Sequence, residues 1–440
     1  MQLPAADAAA LHARPPRRRT LWIVNHYADA PDRPSGTRHF DLARRLVERG
    51  FDVTIFASGF SHVSGREERL RRGQLSRTEW FDGIRFVWLR TTPYRGNNWR
   101  RQVNMLSFVV SFLVVGGWRR APGVVIGSTV HPFAALAAWL SARFHRAAFI
   151  FEVRDLWPQT LVDVGAMRLG STGERVLRAI EAFLVRRASA VITLLPGLVR
   201  YLEERGLPAE RVHYLPNGVD LAAFDRAAER TDGLPPPVAD CIERIAELRS
   251  AGRVVFAYIG ALGRVNAVET LVRAVAIAEE RMPGRVGLVV IGDGPERAVV
   301  EAASRAVDAV ALLSPIPKTF VPAILRAADA GVVHATATPV YRYGVSFNKL
   351  FDYFAAARPV VYACSSADDP VGQAGTGVSV PPNDPWRLAD AFLELATASP
   401  DERLRMGAAG RALVVRGHDI ERLAGTLADL IRDVADRAGE

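Results

Sequence analysis

Short apolar runs, each followed by a loop rich in glycine or proline and then by a helical pattern, constrain the fold of this chain more than any other feature. Residues 21–24 form one such run and residues 51–57 the next, with an amphipathic stretch over 37–49 between them. Apolar runs without alternation predict strands buried on both faces of a parallel sheet, and this order is that of a βαβ unit. The same order recurs with the runs over 254–259 and 286–291. The sequence therefore predicts an α/β protein with a doubly wound parallel sheet in each half.

Charge and cysteine content limit the partners and the compartment that the sequence favours. The formal net charge is +9 and arginines crowd the first 120 residues, which suits an anionic lipid, a phosphorylated substrate or a nucleic acid. Because no nucleic-acid-binding motif accompanies these arginines, we expect no nucleic acid partner. Cys241 and Cys364 are the two cysteines, and they lack metal-ligand spacing, which favours a reducing compartment. The run over 21–24 is too short for a signal peptide, so we expect a cytoplasmic protein.

Residues 341–361 carry the densest chemical signal. Residues 344–346 form a turn of small residues before a helix predicted over 348–357, and backbone N–H groups at such a helix start bind anions. Lys349 lies in the first turn, where a cation is unfavourable unless an anion is near, and Asp352 follows one turn later. A phosphate held by Lys349 and a hydroxyl held by Asp352 would fit a nucleoside diphosphate. The alternative is an ordinary surface helix.

This segment resembles the donor-binding signature of retaining glycosyltransferases with the GT-B fold, in the glycogen-synthase-like superfamily (family 4 type). That signature has two glutamates at fixed spacing, followed by small residues and Pro-Val-Val, which is 359–361 here. Asp352 matches the second glutamate, whose family role is to bind the donor ribose. The first glutamate is missing, because its position is Gly344, or Tyr343 with a shift of one residue. That departure puts in doubt any role of the first glutamate at the donor sugar.

Two strings resemble a bacterial surface-polysaccharide branch of that family, which includes N-acetylfucosamine-type transferases. They are NKLFDY at 348–353 and FEVRDLWPQT at 151–160. By this resemblance, Ser346 and Asn348 would assist Lys349 near the donor phosphates.

In the first half, the resemblance assigns roles to residues in strand-end loops, where ligands of open α/β sheets bind. Gly36 matches a loop glycine that touches the donor diphosphate, and His131 matches a histidine near the donor sugar. Asp155 matches an aspartate that lines the acceptor cleft. The alternatives are a plain turn at Gly36, a structural histidine, and a strand-end charge that pairs with Arg154.

In the second half, the resemblance points to three further loops. Relatives hold the diphosphate with an arginine and a lysine, but Ala261 and Asn266 occupy those positions here, so Arg264 is the expected replacement. Gly292 begins a GDGP turn of the family type, and Pro317 lies where relatives hold the base.

The resemblance covers about residues 20–430 and implies two Rossmann-like doubly wound parallel-sheet domains, the GT-B fold, with a cleft between them. We expect a disordered tail and three further parts. Their predicted bounds are 1–18 for the tail, 19–210 for the acceptor domain, 211–419 for the nucleotide-sugar donor domain and 420–440 for a helix returning to the first domain.

The implied activity is that of a retaining, metal-independent glycosyltransferase. The donor would be a UDP-linked sugar, for which an N-acetylamino sugar is one option. The acceptor would be a lipid-linked or saccharide molecule of surface-polysaccharide synthesis. Metal-dependent transferases use an Asp-x-Asp pair, which the sequence lacks, so we expect neither a metal nor a cofactor. His131, Asp155, Arg264 and Lys349 are the catalytic candidates. A nucleotide-sugar 2-epimerase and a degenerate, non-enzymatic nucleotide-sugar-binding partner are the alternatives.

Residues 103–118 form an apolar run with arginines on both sides. Sixteen helical residues span about 24 Å, which is less than the roughly 30 Å of a hydrocarbon core. A helix that crosses a membrane is therefore not expected. A buried core helix and a helix that dips into a membrane are both compatible with the run. The second would give a peripheral contact at the inner face of the plasma membrane.

Overall fold

The computed structural model describes residues 19–32, 38–62, 64–96 and 98–438. It contains two α/β halves, each with a largely parallel sheet covered by helices, which confirms the predicted fold class. The predicted tail over 1–18 and the loop residue Gly36 lie outside the described residues.

The first half of the described chain contains ten strands. They are β1 Thr20–Val24, β2 Asp52–Ser58, β3 Phe60–Ser61, β4 Arg66–Glu67, β5 Ser76–Phe81, β6 Ile84–Leu89, β7 Val124–Ser128, β8 Ala148–Val153, β9 Ala190–Thr193 and β10 Val212–Tyr214. Eight of them form one sheet in the order β10-β9-β8-β7-β1-β2-β6-β5, while β3 and β4 form a short antiparallel pair. Within the large sheet, β5 runs antiparallel to β6 at the edge and the other neighbours are parallel.

Helices pack on both faces of this sheet, so that successive residues of its central strand enter different cores. The helices are α1 Arg38–Glu48, α2 Trp99–Gly117, α3 Pro132–His145, α4 Gln159–Asp163, α5 Thr172–Arg187 and α6 Leu198–Glu203. On β1, Leu21 and Ile23 pack in the core that includes α1, while Trp22 and Val24 pack with α2 and α3. Burial on both faces is what the run without alternation predicted.

The second half contains six parallel strands in the order β13-β12-β11-β14-β15-β16 within the described residues. The strands are β11 Val254–Ile259, β12 Val286–Ile291, β13 Val310–Leu313, β14 Ala330–His334, β15 Val360–Ala363 and β16 Gly377–Val380. The helices are α7 Leu221–Ala228, α8 Pro236–Ser250, α9 Val268–Arg281, α10 Arg297–Ala306, α11 Val321–Ala327, α12 Asn348–Ala355, α13 Pro385–Thr397, α14 Pro400–Gly417 and α15 Ile420–Arg437.

The chain crosses between the halves near residue 215 and returns at its end. Strand β10 pairs with β9, so the first sheet extends beyond the boundary predicted at residue 210. The cause is the parallel register of Val212 with Val191, which continues the sheet by one more strand. Helix α15 packs on α1, and its Leu427 and Ile431 are buried in the core of the first half.

Helix α2 contains most of the apolar run over 103–118. Its inner face buries Met105, Phe108 and Phe112 against the first sheet. Among the described residues, no helix combines the length and apolar character needed to cross a bilayer.

Candidate active site

A cavity of about 570 Å³ opens at the carboxyl ends of β11 and β12. Gly260 and Gly292 follow those two strands, and Lys349 and Asp352 face them from α12. The strand ends lie so close that a Cβ atom on Gly292 would come within 1.9 Å of the Gly260 carbonyl oxygen. A glycine is therefore required at 292, and the backbone of Gly260 and Gly292 forms part of the cavity wall, as is typical of phosphate sites.

Lys349 lines this cavity together with Lys318. Its Nζ atom lies 4.0 Å from the centre of the Tyr258 ring, and no carboxylate in the described chain forms an ion pair with it. Removal from water lowers the pKa of Lys349 to about 7. A Cβ atom at Gly260 would lie only 3.1 Å from Nζ, so the glycine leaves room for the ammonium. The site thus holds a buried lysine with which no carboxylate of the described chain forms an ion pair.

Asp352 lies one helical turn from Lys349 and borders two cavities. The second cavity, of about 610 Å³, also contains Pro317 and Lys318 in its wall. Burial raises the pKa of Asp352, and the nearby Lys318 ammonium opposes that rise. Lys318 was not among the predicted site residues, although it follows directly on the segment predicted to hold the base. Asp352 and the segment at 315–318 thus line the same cavity.

A third cavity, of about 360 Å³, lies between the two halves. Arg154 and Asp155 line it from the end of β8, while Ser346 and Asn348 line it from the start of α12. Asp155 is exposed to this space, and the surrounding protein raises the pKa of its carboxyl group, with Arg154 opposing the rise. The structure thus brings Asp155 together with Ser346 and Asn348, as a site shared by donor and acceptor would require.

The structure explains why the first glutamate of the family signature is missing. Gly344 has a φ of 92°, and a Cβ atom there would lie 2.5 Å from the Pro196 ring. Tyr343 is buried, and its phenol donates to Glu204 of the first half. A side chain at 344 would clash with Pro196, although Gly344 borders the third cavity, and Tyr343 lines none of the three cavities. A different carboxylate oxygen, Oδ1 of Asp368, lies 3.0 Å from the place of that absent Cβ atom.

His131 does not face any of these cavities. Its side chain is 0% exposed, and its Nδ1 accepts from the Ala134 N–H at 3.2 Å as the cap of α3. Nε2 must then carry the proton, and it donates to Nδ1 of His26 at 2.8 Å. Burial lowers the pKa of His131 to about 3, so the ring is neutral. Both nitrogens are occupied within the protein, in contrast to the expectation that the ring faces the donor sugar.

Arg264 also lies apart from Lys349. Its side chain is exposed at the start of a short 3₁₀ helix and is not part of the wall of the three cavities. Its neighbour Asn266 donates to the Ala261 carbonyl oxygen at 3.0 Å, which closes the loop on itself. The expected replacement of the missing diphosphate ligands by Arg264 is not visible in this arrangement.

Sequence reasoning missed a buried ion network at the end of β8. Glu152 is 1% exposed. Its carboxylate accepts a hydrogen bond from Arg38 Nε at 3.3 Å and contacts His39 Nε2 at 2.7 Å. Burial opposes ionisation of Glu152, but His39 and Arg38 outweigh it and hold the pKa of Glu152 well below its usual range. The signal was present, because an acid inside an otherwise apolar strand must have a buried partner.

The network continues into the crossing between the halves. Arg38 donates to the Leu215 carbonyl oxygen at 2.7 Å and also to that of Pro216. The next residue, Asn217, donates through its side-chain amide to the Ser346 carbonyl oxygen at 2.8 Å. Glu152 is therefore joined to the loop before α12 through hydrogen bonds, and this chain of contacts fixes one half relative to the other.

Two family descriptions match the chain, one in each half. The glycosyl transferase 4-like domain matches residues 35–218, and the glycosyl transferases group 1 domain matches residues 253–398. The second match contains the cavity with Lys349 and Asp352.

Curated relatives are similar at low identity. The probable glycosyltransferase WbjE of Pseudomonas aeruginosa is 24% identical over 306 residues, which are 67% of this chain and 71% of that protein. The putative colanic acid biosynthesis glycosyl transferase WcaI of Escherichia coli K12 is 22% identical over 213 residues, 48% of this chain and 50% of that protein. The chain therefore spans about half the length of this second relative.

Solved structures share the architecture across nearly the whole chain. Sucrose-phosphate synthase from Thermosynechococcus elongatus has a TM-score of 0.72 at 19% identity, with 95% of this chain and 99% of that chain covered. Anabaena HepE in complex with UDP and glucose has a TM-score of 0.64 at 14% identity, with 94% and 99% covered. The chain is a glycosyltransferase with the GT-B fold, in which a glycosyl transferase 4-like domain precedes a glycosyl transferases group 1 domain.

Proposed function

We propose that this protein is a retaining, metal-independent glycosyltransferase that moves a sugar from a UDP-linked donor to a lipid-linked or saccharide acceptor. The observation that carries the proposal is the pair formed by Lys349 and Asp352 in the cavity at the ends of β11 and β12. A structural neighbour binds UDP and glucose, which supports the choice of donor class. A relative named for colanic acid biosynthesis supports an acceptor from surface-polysaccharide synthesis.

Lys349 would stabilise the diphosphate as it leaves the sugar. Negative charge grows on the leaving group in the transition state, and a preorganised cation in a dry cavity acts on that growth. The first turn of α12 adds N–H groups, since the preceding Phe347 provides no side-chain cap for them. These two features replace the positive charge that a metal ion supplies in other transferases.

Asp352 would bind the ribose hydroxyls, and Ser346 with Asn348 would contact the phosphates and the transferred sugar. Asp155 would face the acceptor across the cavity between the halves. Its raised pKa makes its carboxylate a better proton acceptor for an acceptor hydroxyl than an ordinary aspartate is. Reaction on one face of the donor sugar would retain the anomeric configuration without a covalent nucleophile.

The test begins with a thermal-shift screen of nucleotide sugars on the purified full chain. The sugar with the largest shift is then offered with saccharide and lipid-linked acceptors, with and without EDTA. We expect transfer that survives EDTA and a product with the anomeric configuration of the donor, as read by NMR. Inverted product would disprove retention, and a strict need for added magnesium or manganese would disprove the metal-independent scheme. A free epimerised sugar nucleotide formed without acceptor would instead identify a 2-epimerase.

A further inference from the structure

The outer face of α2 carries a stripe of apolar side chains that no part of the described chain covers. Trp99 is 69% exposed, Val110 is 62% exposed and Trp118, just after the helix, is 90% exposed. Leu106 and Val114 lie between them, at spacings of seven or four residues that keep all five on one face. This face is opposite to the one that packs Phe108 and Phe112 in the core, so core packing does not account for it.

The neighbouring helix α3 widens the stripe into a surface. It packs against α2 and exposes Leu140 and Phe144, the latter to 72%. We call these seven residues the α2–α3 face: Trp99, Leu106, Val110, Val114, Trp118, Leu140 and Phe144. Soluble proteins rarely leave an apolar surface built from two helices uncovered, and such a surface indicates a docking site.

The charges around the α2–α3 face identify its partner. From residue 83 to residue 151 the chain has no aspartate or glutamate, and it has nine arginines. Exposed arginines lie at both ends of α2, at Arg100 and Arg120, and beside Phe144, at Arg143 and Arg146. Guanidinium groups around an apolar centre complement lipid phosphates around an acyl region. Two copies of the same face would instead bring like charges together.

We propose that the α2–α3 face docks on an anionic lipid bilayer, with its apolar side chains in the headgroup region and its arginines on lipid phosphates. The position of α2 relates the membrane contact to the cleft between the halves. Phe108 stacks on His26 at the end of β1, so the first half of α2 lies at the sheet edge that faces the cleft. Docking would place the opening of the cleft beside the membrane. The inference rests on the proposed function only in this last respect, since a lipid-linked acceptor would enter there.

The experiment measures partition of the full chain to vesicles by co-sedimentation, which requires no turnover. We compare phosphatidylcholine vesicles with vesicles that also contain phosphatidylglycerol, at low and high salt. The test variant is Leu106→Ser/Val110→Ser, and the matched control is Leu404→Ser/Val415→Ser, which changes two equally exposed side chains on α14 of the second half.

We expect binding to the anionic vesicles alone, weaker at high salt, and about 10-fold weaker for Leu106→Ser/Val110→Ser, because each buried CH₂ group contributes to partition. The control should bind like the wild type. Equal partition of the two double variants, or wild type left in the supernatant at low salt, would disprove the proposal. A dimer in light scattering that Leu106→Ser/Val110→Ser dissociates would show that a second copy occupies the face instead. If the wild type binds the vesicles but transfers no sugar, the proposed function is contradicted and this inference still holds.

Discussion

The carboxyl ends of the two sheets carry ionisable side chains in opposite states. At the first sheet, Glu152 is paired with Arg38 and His39, and His131 donates a hydrogen bond to His26. At the second sheet, Lys349 at the start of α12 has an aromatic ring beside it, and no carboxylate of the described chain forms an ion pair with it. Groups that are satisfied within the protein maintain its structure, while an unsatisfied cation beside a cavity is available to a ligand. Under the proposed function, the first sheet edge contributes stability and the second contributes donor chemistry.

The largest effect is expected when the buried ion network at the carboxyl end of the first sheet is disrupted. Glu152→Gln removes the anion beside the buried Arg38 guanidinium and the His39 ring, and loss of one partner of a buried pair costs about 3–5 kcal/mol. We expect that loss in the free energy of unfolding, measured by denaturant titration with fluorescence from Trp22 and Trp88, which lie in the same half. Glu421→Gln is the matched control, because its side chain is half exposed and pairs with Arg45 and Arg49.

The control should change the free energy of unfolding by less than about 1 kcal/mol. Equal stability of Glu152→Gln and Glu421→Gln would show that the network at β8 is not structural. The inference that the carboxyl end of the first sheet contributes stability would then be wrong.

Substitution of Lys349 tests the role assigned to the carboxyl end of the second sheet. Lys349→Met should lower kcat by on the order of 100-fold, with a smaller effect on the donor KM, because diphosphate charge grows in the transition state. The free energy of unfolding should not fall, since no ion pair is broken. Steady-state kinetics and thermal unfolding of the same sample measure both quantities.

Arg264→Ala is the control that separates the arginine expected from sequence from the lysine found in the cavity. An exposed side chain outside the cavity wall should change kcat by less than about 3-fold, since most surface substitutions have small effects. If Arg264→Ala is as damaging as Lys349→Met, the loop at 264–266 must reach the diphosphate during the reaction.

Loss of the carboxylate at Asp352 should affect binding rather than chemistry. Ribose hydroxyls do not change during transfer, and a hydrogen bond to a charged group contributes about 1.5–3 kcal/mol, so Asp352→Asn should raise the donor KM by roughly 10- to 100-fold. Kinetics with varied donor measure this, with kcat expected to stay near wild type. A fall in kcat at unchanged KM would show that Asp352 contacts the reacting sugar instead.

The parts of the site that sequence could predict are those determined by local backbone patterns. The runs over 254–259 and 286–291 coincide with β11 and β12, and Gly292 with Lys349 follows from strand ends and a helix start. The directions of Tyr343 and His131 depend on partners far along the chain, Glu204 and His26. Periodicity cannot reveal such contacts, because they arise only when elements far apart in the sequence pack together.

The prediction that most directly tests the protonation state of Lys349 is a pH dependence of donor binding. Its pKa of about 7 in the free protein lies far below that of an ordinary lysine. A bound diphosphate favours the charged ammonium, so above pH 7 the free protein must take up a proton on binding. Donor affinity should then fall by up to about 10-fold per pH unit above 7 and level off below it. The nearby His334 contributes little, because burial lowers its pKa and keeps it neutral in this range. Calorimetric titration between pH 6 and about 9 measures the slope, and Lys349→Arg should abolish it because a guanidinium stays charged throughout. Equal slopes for the wild type and Lys349→Arg would show that the titrating group is the donor or another side chain, and that Lys349 is already charged without its ligand.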